Sequence, residues 1–180
     1  MNFLFLIGIV LGYLFLNLDK MLIEKKNMEE AWRDANKRIE YRFDLMLELK
    51  NIFQNVDIKE KNHLEDIMRA RNNYLRSETV SEIVKASRQL SFALQELFLA
   101  LENYPDLVEN ISIREFKEQL YRVESRLINS FKSYNMCVQK YNCYVEVSPN
   151  KFYVKFFGFS KIKYLEADML QFTFKNQNKK

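Results

Sequence analysis

The segment NFLFLIGIVLGYLFLNLDK, residues 2–20, decides the architecture of this 180-residue chain. From Phe3 to Leu18 every position except Asn17 is apolar, aromatic or glycine, and the first charge is Asp19. A core helix of a soluble domain keeps a polar stripe on the face it turns to water, and this stretch has none. A secretory signal places a basic residue before its apolar run and a small-x-small cleavage site after it. Here no Lys or Arg precedes the run, and Asn17, Leu18, Asp19, Lys20 and Met21 close it. The reading is a retained transmembrane anchor over residues 1–23, with Phe3, Leu4, Phe5, Leu6, Gly8, Gly12 and Leu16 in the lipid bilayer. As a helix, Met1 to Leu18 covers roughly 27 Å, slightly less than the ~30 Å hydrocarbon core. Met21, Leu22 and Ile23 prolong the apolar surface, and Lys20 snorkels to the headgroups.

Lys20, Lys25, Lys26 and Arg33 follow the span, and only the terminal amine precedes it. The positive-inside rule then places the N-terminus outside and the remainder in the cytoplasm of a single-pass cell-membrane protein. Gly8 and Gly12 share one face of the span, the spacing through which two membrane helices approach closely. A homo-oligomer paired there is one expectation, and glycines common to membrane helices in general is the other.

Beyond the anchor, 3 Gly and 2 Pro in the whole chain argue for long helices. Met28, Trp32, Ala35, Ile39, Arg42/Phe43, Met46, Leu49 and Phe53 recur at steps of three and four, a coiled-coil-like stripe. The anchor therefore continues into one long helix. After the polar connector NVDIKEKN, a second helix is expected from Asn62 to Arg76, with Leu64, Ile67, Met68, Tyr74 and Leu75 inward. Thr79 with Glu82 forms a capping box for a third helix carrying Val80, Ile83, Val84, Ser87, Leu90, Leu94, Leu97, Phe98 and Leu101. Pro105 stops it near Asn103. SIRE at Ser112–Glu115 reads as another capping box. The helix after it carries Ile113, Phe116, Leu120, Val123, Leu127, Phe131, Tyr134, Val138, Tyr141 and Val145 and runs to near Pro149. The expected fold is all-α, an N-terminal transmembrane helix followed by an antiparallel up-down four-helix bundle with long first and fourth helices. Its parts are the anchor, a bundle over residues 24–149 and a basic aromatic tail over 150–180.

The order and spacing of several segments resemble the LemA family of bacterial membrane-anchored helical proteins. These are AWRDANKRIEYRFDL from Ala31 to Leu45, ARNNYL from Ala70 to Leu75 and YPDL at Tyr104–Leu107. The list continues with FKEQLYRVESRLINSFKSYNMCVQKYNCYV, holding two Tyr-Asn pairs seven apart, and with SPN, FFGF and YLEA near the end. The chain has Leu47 where the family usually has proline, and its first connector diverges. The resemblance implies a membrane helix followed by a helical bundle, and no known enzymatic activity.

Four constellations remain. Tyr134-Asn135 and Tyr141-Asn142 lie two helical turns apart. With Arg38, Arg42, Asp44 and Arg71 as partners they form a polar core cluster, or the tyrosines are core and the asparagines set helix register. His63 is the only histidine, and with Glu60 it makes a single E-x-x-H, where a di-metal bundle needs two; no metal or cofactor is expected. Cys137 and Cys143, six apart on a helix, are too distant for a disulfide and are expected as buried thiols. The tail from Lys151 holds seven lysines against Glu166 and Asp168, a net of +5, which leaves residues 1–150 at −1 of the total +4. Lys151, Phe152, Lys155, Phe156, Phe157, Lys161 and Lys163 suit a membrane surface, and packing of these aromatics on the base of the helices is the alternative. No nucleic-acid motif accompanies the basic charge, and no nucleophile–base pair is evident. The expected role is a scaffold or interaction protein with an unidentified protein partner. The alternative is a tethered sensor binding a small ligand in its core.

Overall fold

The computed structural model describes residues 2–54, 61–146, 154 and 157–165. Among these residues the regular secondary structure is all helix. Helix α1 runs Asn2–Gln54, α2 Lys61–Leu75, α3 Val80–Leu101, α4 Pro105–Val108 and α5 Ile111–Glu146. One feature of this order was not expected, the single turn α4, which uses Pro105 at its first position. Proline suits that place because its missing N–H would have no partner there.

The caps explain two of the boundaries. Thr79 accepts from the Glu82 N–H while the Glu82 carboxylate accepts from the Thr79 N–H, so the capping box stands as expected. Helix α5 departs from expectation. It starts at Ile111, and its cap is Asn110, whose Oδ1 accepts from the Ile113 N–H at 3.3 Å. Ser112 is already inside the helix, so its sequence pattern pointed to a cap two residues too late.

The chain divides into two compact units, one on Met1–Ala35 with Ser130–Leu165, the other built on Asn36–Asn129. In the second, Ile39, Phe43, Met46, Leu49 and Phe53 of α1 are buried, as are Ile67 and Ala70 of α2. Leu90, Leu94, Leu97 and Leu101 of α3 and Phe116, Leu120 and Leu127 of α5 join them. Full burial of each of the larger of these side chains, the Leu, Ile, Met and Phe residues, contributes about 1.5–3 kcal/mol. Phe43 stacks on Tyr74 at 4.4 Å between ring centres. Leu75 and Val80 are exposed, against expectation. They sit at helix ends, where the periodic face no longer has a neighbour to cover it.

In the first unit, α1 changes character along its length. Leu4, Phe5, Leu6, Leu11, Phe15 and Leu16 are exposed, whereas Met21, Met28 and Ala35 are buried. Asp34 accepts from the Ser130 hydroxyl at 2.9 Å, Trp32 meets Tyr134 edge-on, and Met21 packs with Tyr141 and Val145. Positions thus descend on α1 as they ascend on α5.

Candidate functional site

The two Tyr-Asn pairs of α5 hold a returning stretch of main chain. Asn142 donates through Nδ2 to the Ile162 carbonyl at 2.8 Å and accepts at Oδ1 from the Ile162 N–H at 3.0 Å. Asn135 does the same for Leu165, at 2.7 and 2.8 Å. Each carboxamide thereby imitates the paired donor and acceptor of a neighbouring strand. The register follows from geometry. Two asparagines seven apart on a helix are separated by about 10.5 Å, and Ile162 to Leu165 in extended chain spans about 10 Å. Aspartate would lack the donor at this position, so the chemistry calls for an amide.

The tyrosines complete the arrangement. Tyr141 hydrogen-bonds the Ser160 backbone, and burial raises its pKa above the usual phenol value despite that bond. Tyr134 is buried against Trp32, with ring centres 5.7 Å apart, and burial raises its pKa also. Below the rungs lies an apolar cluster of Met21, Tyr141, Val145 and Val154, flanked by Leu18, Phe159 and Ile162. Lys161 pairs with Glu146, and the Lys25 ammonium lies 5.8 Å from the Phe159 ring centre.

The polar partners expected for these asparagines are engaged elsewhere. Arg42 is fully buried, with Nε 2.5 Å from Glu124 Oε1. Its Nη1 donates to the Ser87 carbonyl and hydroxyl at 3.0 and 2.9 Å, and its Nη2 donates to the Ser91 hydroxyl at 2.8 Å. Asp44 lies 3.5 Å from Arg71. The expected cluster of Arg42, Asp44, Tyr134, Asn135, Tyr141 and Asn142 thus falls into three sets of contacts: the Tyr-Asn rungs, the Arg42–Glu124 site and the Asp44–Arg71 pair. Burial raises the Glu124 pKa above its ordinary value, and the attraction of Arg42 only partly offsets this.

Glu124 and Ser91 were missed in the sequence. Glu124 adjoins Val123 of the α5 stripe, and the polar Ser87 inside the α3 stripe was the available signal for a buried polar partner.

A family model describing the LemA family matches residues 31–176. The chain belongs to the LemA family. Comparison with curated proteins returns no match. The matched range contains both the Asn135/Asn142 rungs with the chain they hold and the Arg42–Glu124 pair.

The other expected positions of this LemA chain divide as follows. Leu4, Phe5, Leu6, Gly8, Gly12 and Leu16 are exposed on α1, and the Phe3 side chain lies outside the described residues. Lys151, Phe152, Lys155 and Phe156 also lie outside them. Phe157 and Lys163 are exposed, whereas Lys161 is engaged with Glu146. Cys137 is half-buried, and Cys143 is exposed rather than buried because it falls outside the α5 stripe. An open groove of about 480 Å³ between α2 and α3 is lined by residues including Asp66, Arg69, Asn73, Gln89 and Phe92.

Proposed function

We propose that this LemA-family chain is a single-pass, membrane-anchored scaffold or interaction protein without catalytic activity. Its N-terminus lies outside the cell membrane and its helical body in the cytoplasm. In this reading α1, α2, α3 and α5 form an antiparallel up-down four-helix bundle. The observation that carries the proposal is the change along α1, from apolar side chains exposed all round between Leu4 and Leu16 to one-sided burial from Met21 onward. Such an uncovered apolar surface is stable in lipid and not in water. A second copy is a compatible partner, because a Cβ added at Gly8 or Gly12 meets nothing within 4 Å. The sensor alternative has the α2/α3 groove as its open site, since the Asn135 and Asn142 amides already hold main chain.

Alkaline extraction of membranes containing the full chain tests the anchor. The wild type stays with the membrane. Val10→Asp, which sets a charge at mid-span at a cost of about 2.5–3.5 kcal/mol, weakens retention. Release of the wild type at high pH contradicts the proposal.

A further inference from the structure

Resting on the anchor reading above, we infer that the turn at Phe157-Gly158 is a second membrane contact, which seats the Phe157 ring in the headgroup layer beside the exit of α1. The membrane is the occupant because of where the fold carries this turn. Leu165 is held at Asn135 and Ile162 at Asn142, seven residues closer to the end of α5 that packs on Met21. Followed backward from Leu165 through Ile162 to Phe159, the chain therefore runs toward Met21 and Leu18, where the apolar span ends.

The turn itself is built to reverse there. Gly158 has φ +74°, a left-handed conformation that side chains oppose. The Phe159 N–H donates to the Val154 carbonyl at 3.0 Å, closing the loop. Val154 is buried with Met21 and Phe159 packs beside it, so the two ends of the turn sit on the helices. Phe157 at its tip is 57% exposed.

The depth agrees. From Leu18 to Met21 the helix rises about 4.5 Å, which lies within the ~5–7 Å polar layer on each side of the hydrocarbon. Leu22 and Ile23 of α1 are each about half exposed at this level. A bilayer surrounds an emerging helix on every side, so these side chains and Phe157 meet the same layer whichever way each points. Aromatic rings favour that layer. The structure divides the basic aromatic tail accordingly. Phe159 and Ile162 pack on the helices and Lys161 pairs with Glu146, while more than half of the Phe157 surface stays exposed at the tip of the turn.

The test uses the full chain in phosphatidylcholine–phosphatidylglycerol vesicles that contain lipid brominated near the headgroup end of its acyl chains. Trp32→Phe removes the natural indole, and Phe157→Trp or Leu6→Trp then places a single reporter. Both positions are exposed, so neither substitution disturbs the core. The inference expects a loss of Phe157→Trp emission to the bromines and a blue-shifted maximum. Unquenched, water-like emission from Phe157→Trp beside quenched Leu6→Trp overturns the turn contact and leaves the anchor standing. Unquenched emission from both overturns the anchor and the turn contact together.

Discussion

Asn142 grips Ile162 by both ends of one residue's main chain, donating to its carbonyl and accepting from its N–H within 3.0 Å. The pairing makes an α-helix side chain do the work of a strand neighbour. It ties a segment that has no regular structure of its own to α5 and, through Met21 and Val154, to α1.

Asn142→Asp keeps the acceptor but turns the donor into a carboxylate oxygen facing the Ile162 carbonyl. A net hydrogen bond is worth about 0.5–1.5 kcal/mol, and an unsatisfied buried group costs about 1–3 kcal/mol. Hydrogen exchange at the Ile162 amide should therefore accelerate sharply, with Asn135→Asp doing the same at Leu165. Unchanged protection in both variants would show that apolar packing alone holds the segment.

Arg42 and Glu124 form a buried ion pair, in which each charge is tolerated chiefly because of the other. Removing one partner from such a pair costs about 3–5 kcal/mol, whereas replacing both by apolar residues of similar volume is often neutral. Arg42→Met and Glu124→Leu should each lower the urea midpoint substantially, and the double variant should recover much of the loss. Additive losses in the double variant would contradict the coupling.

The same pair sets a pH dependence. Burial raises the Glu124 pKa in the folded chain, so the folded state binds the proton more tightly than the unfolded one. This contribution to stability is fully present below the ordinary carboxylate pKa and is lost as pH rises through the raised folded value. The slope of stability against pH in that window should be shallower in Glu124→Gln. Equal slopes in the two proteins, measured by urea denaturation across the window, would place the titration elsewhere.

Much of the helical framework was legible in the sequence. All ten positions of the α5 stripe, from Ile113 to Val145, are buried, because a period near 3.6 reports one covered face directly. The Tyr-Asn pairs were visible, but their role was not. Their partners are backbone atoms of Ile162 and Leu165, which any residue other than proline would offer equally. The Arg42 site was half legible. Arg42 stood within an apolar stripe, yet Glu124 lay beside Val123, where a charged residue reads as ordinary helix surface.

The start of α5 shows how two similar signals compete. Asn110 caps the helix and Ser112 does not. Asn110→Ala should cost about 1 kcal/mol by thermal or urea denaturation, and Ser112→Ala clearly less. The reverse ranking would return the cap to Ser112.

Sidedness of the exposed Glu78 position tests the central claim most directly. Cys137 and Cys143 are replaced by serine, Glu78→Cys supplies one thiol, and intact cells are treated with a membrane-impermeant thiol reagent. The account predicts protection until the membrane is broken, followed by full labelling. Labelling in intact cells would contradict it, placing the helical body outside the cell and its partners in the envelope.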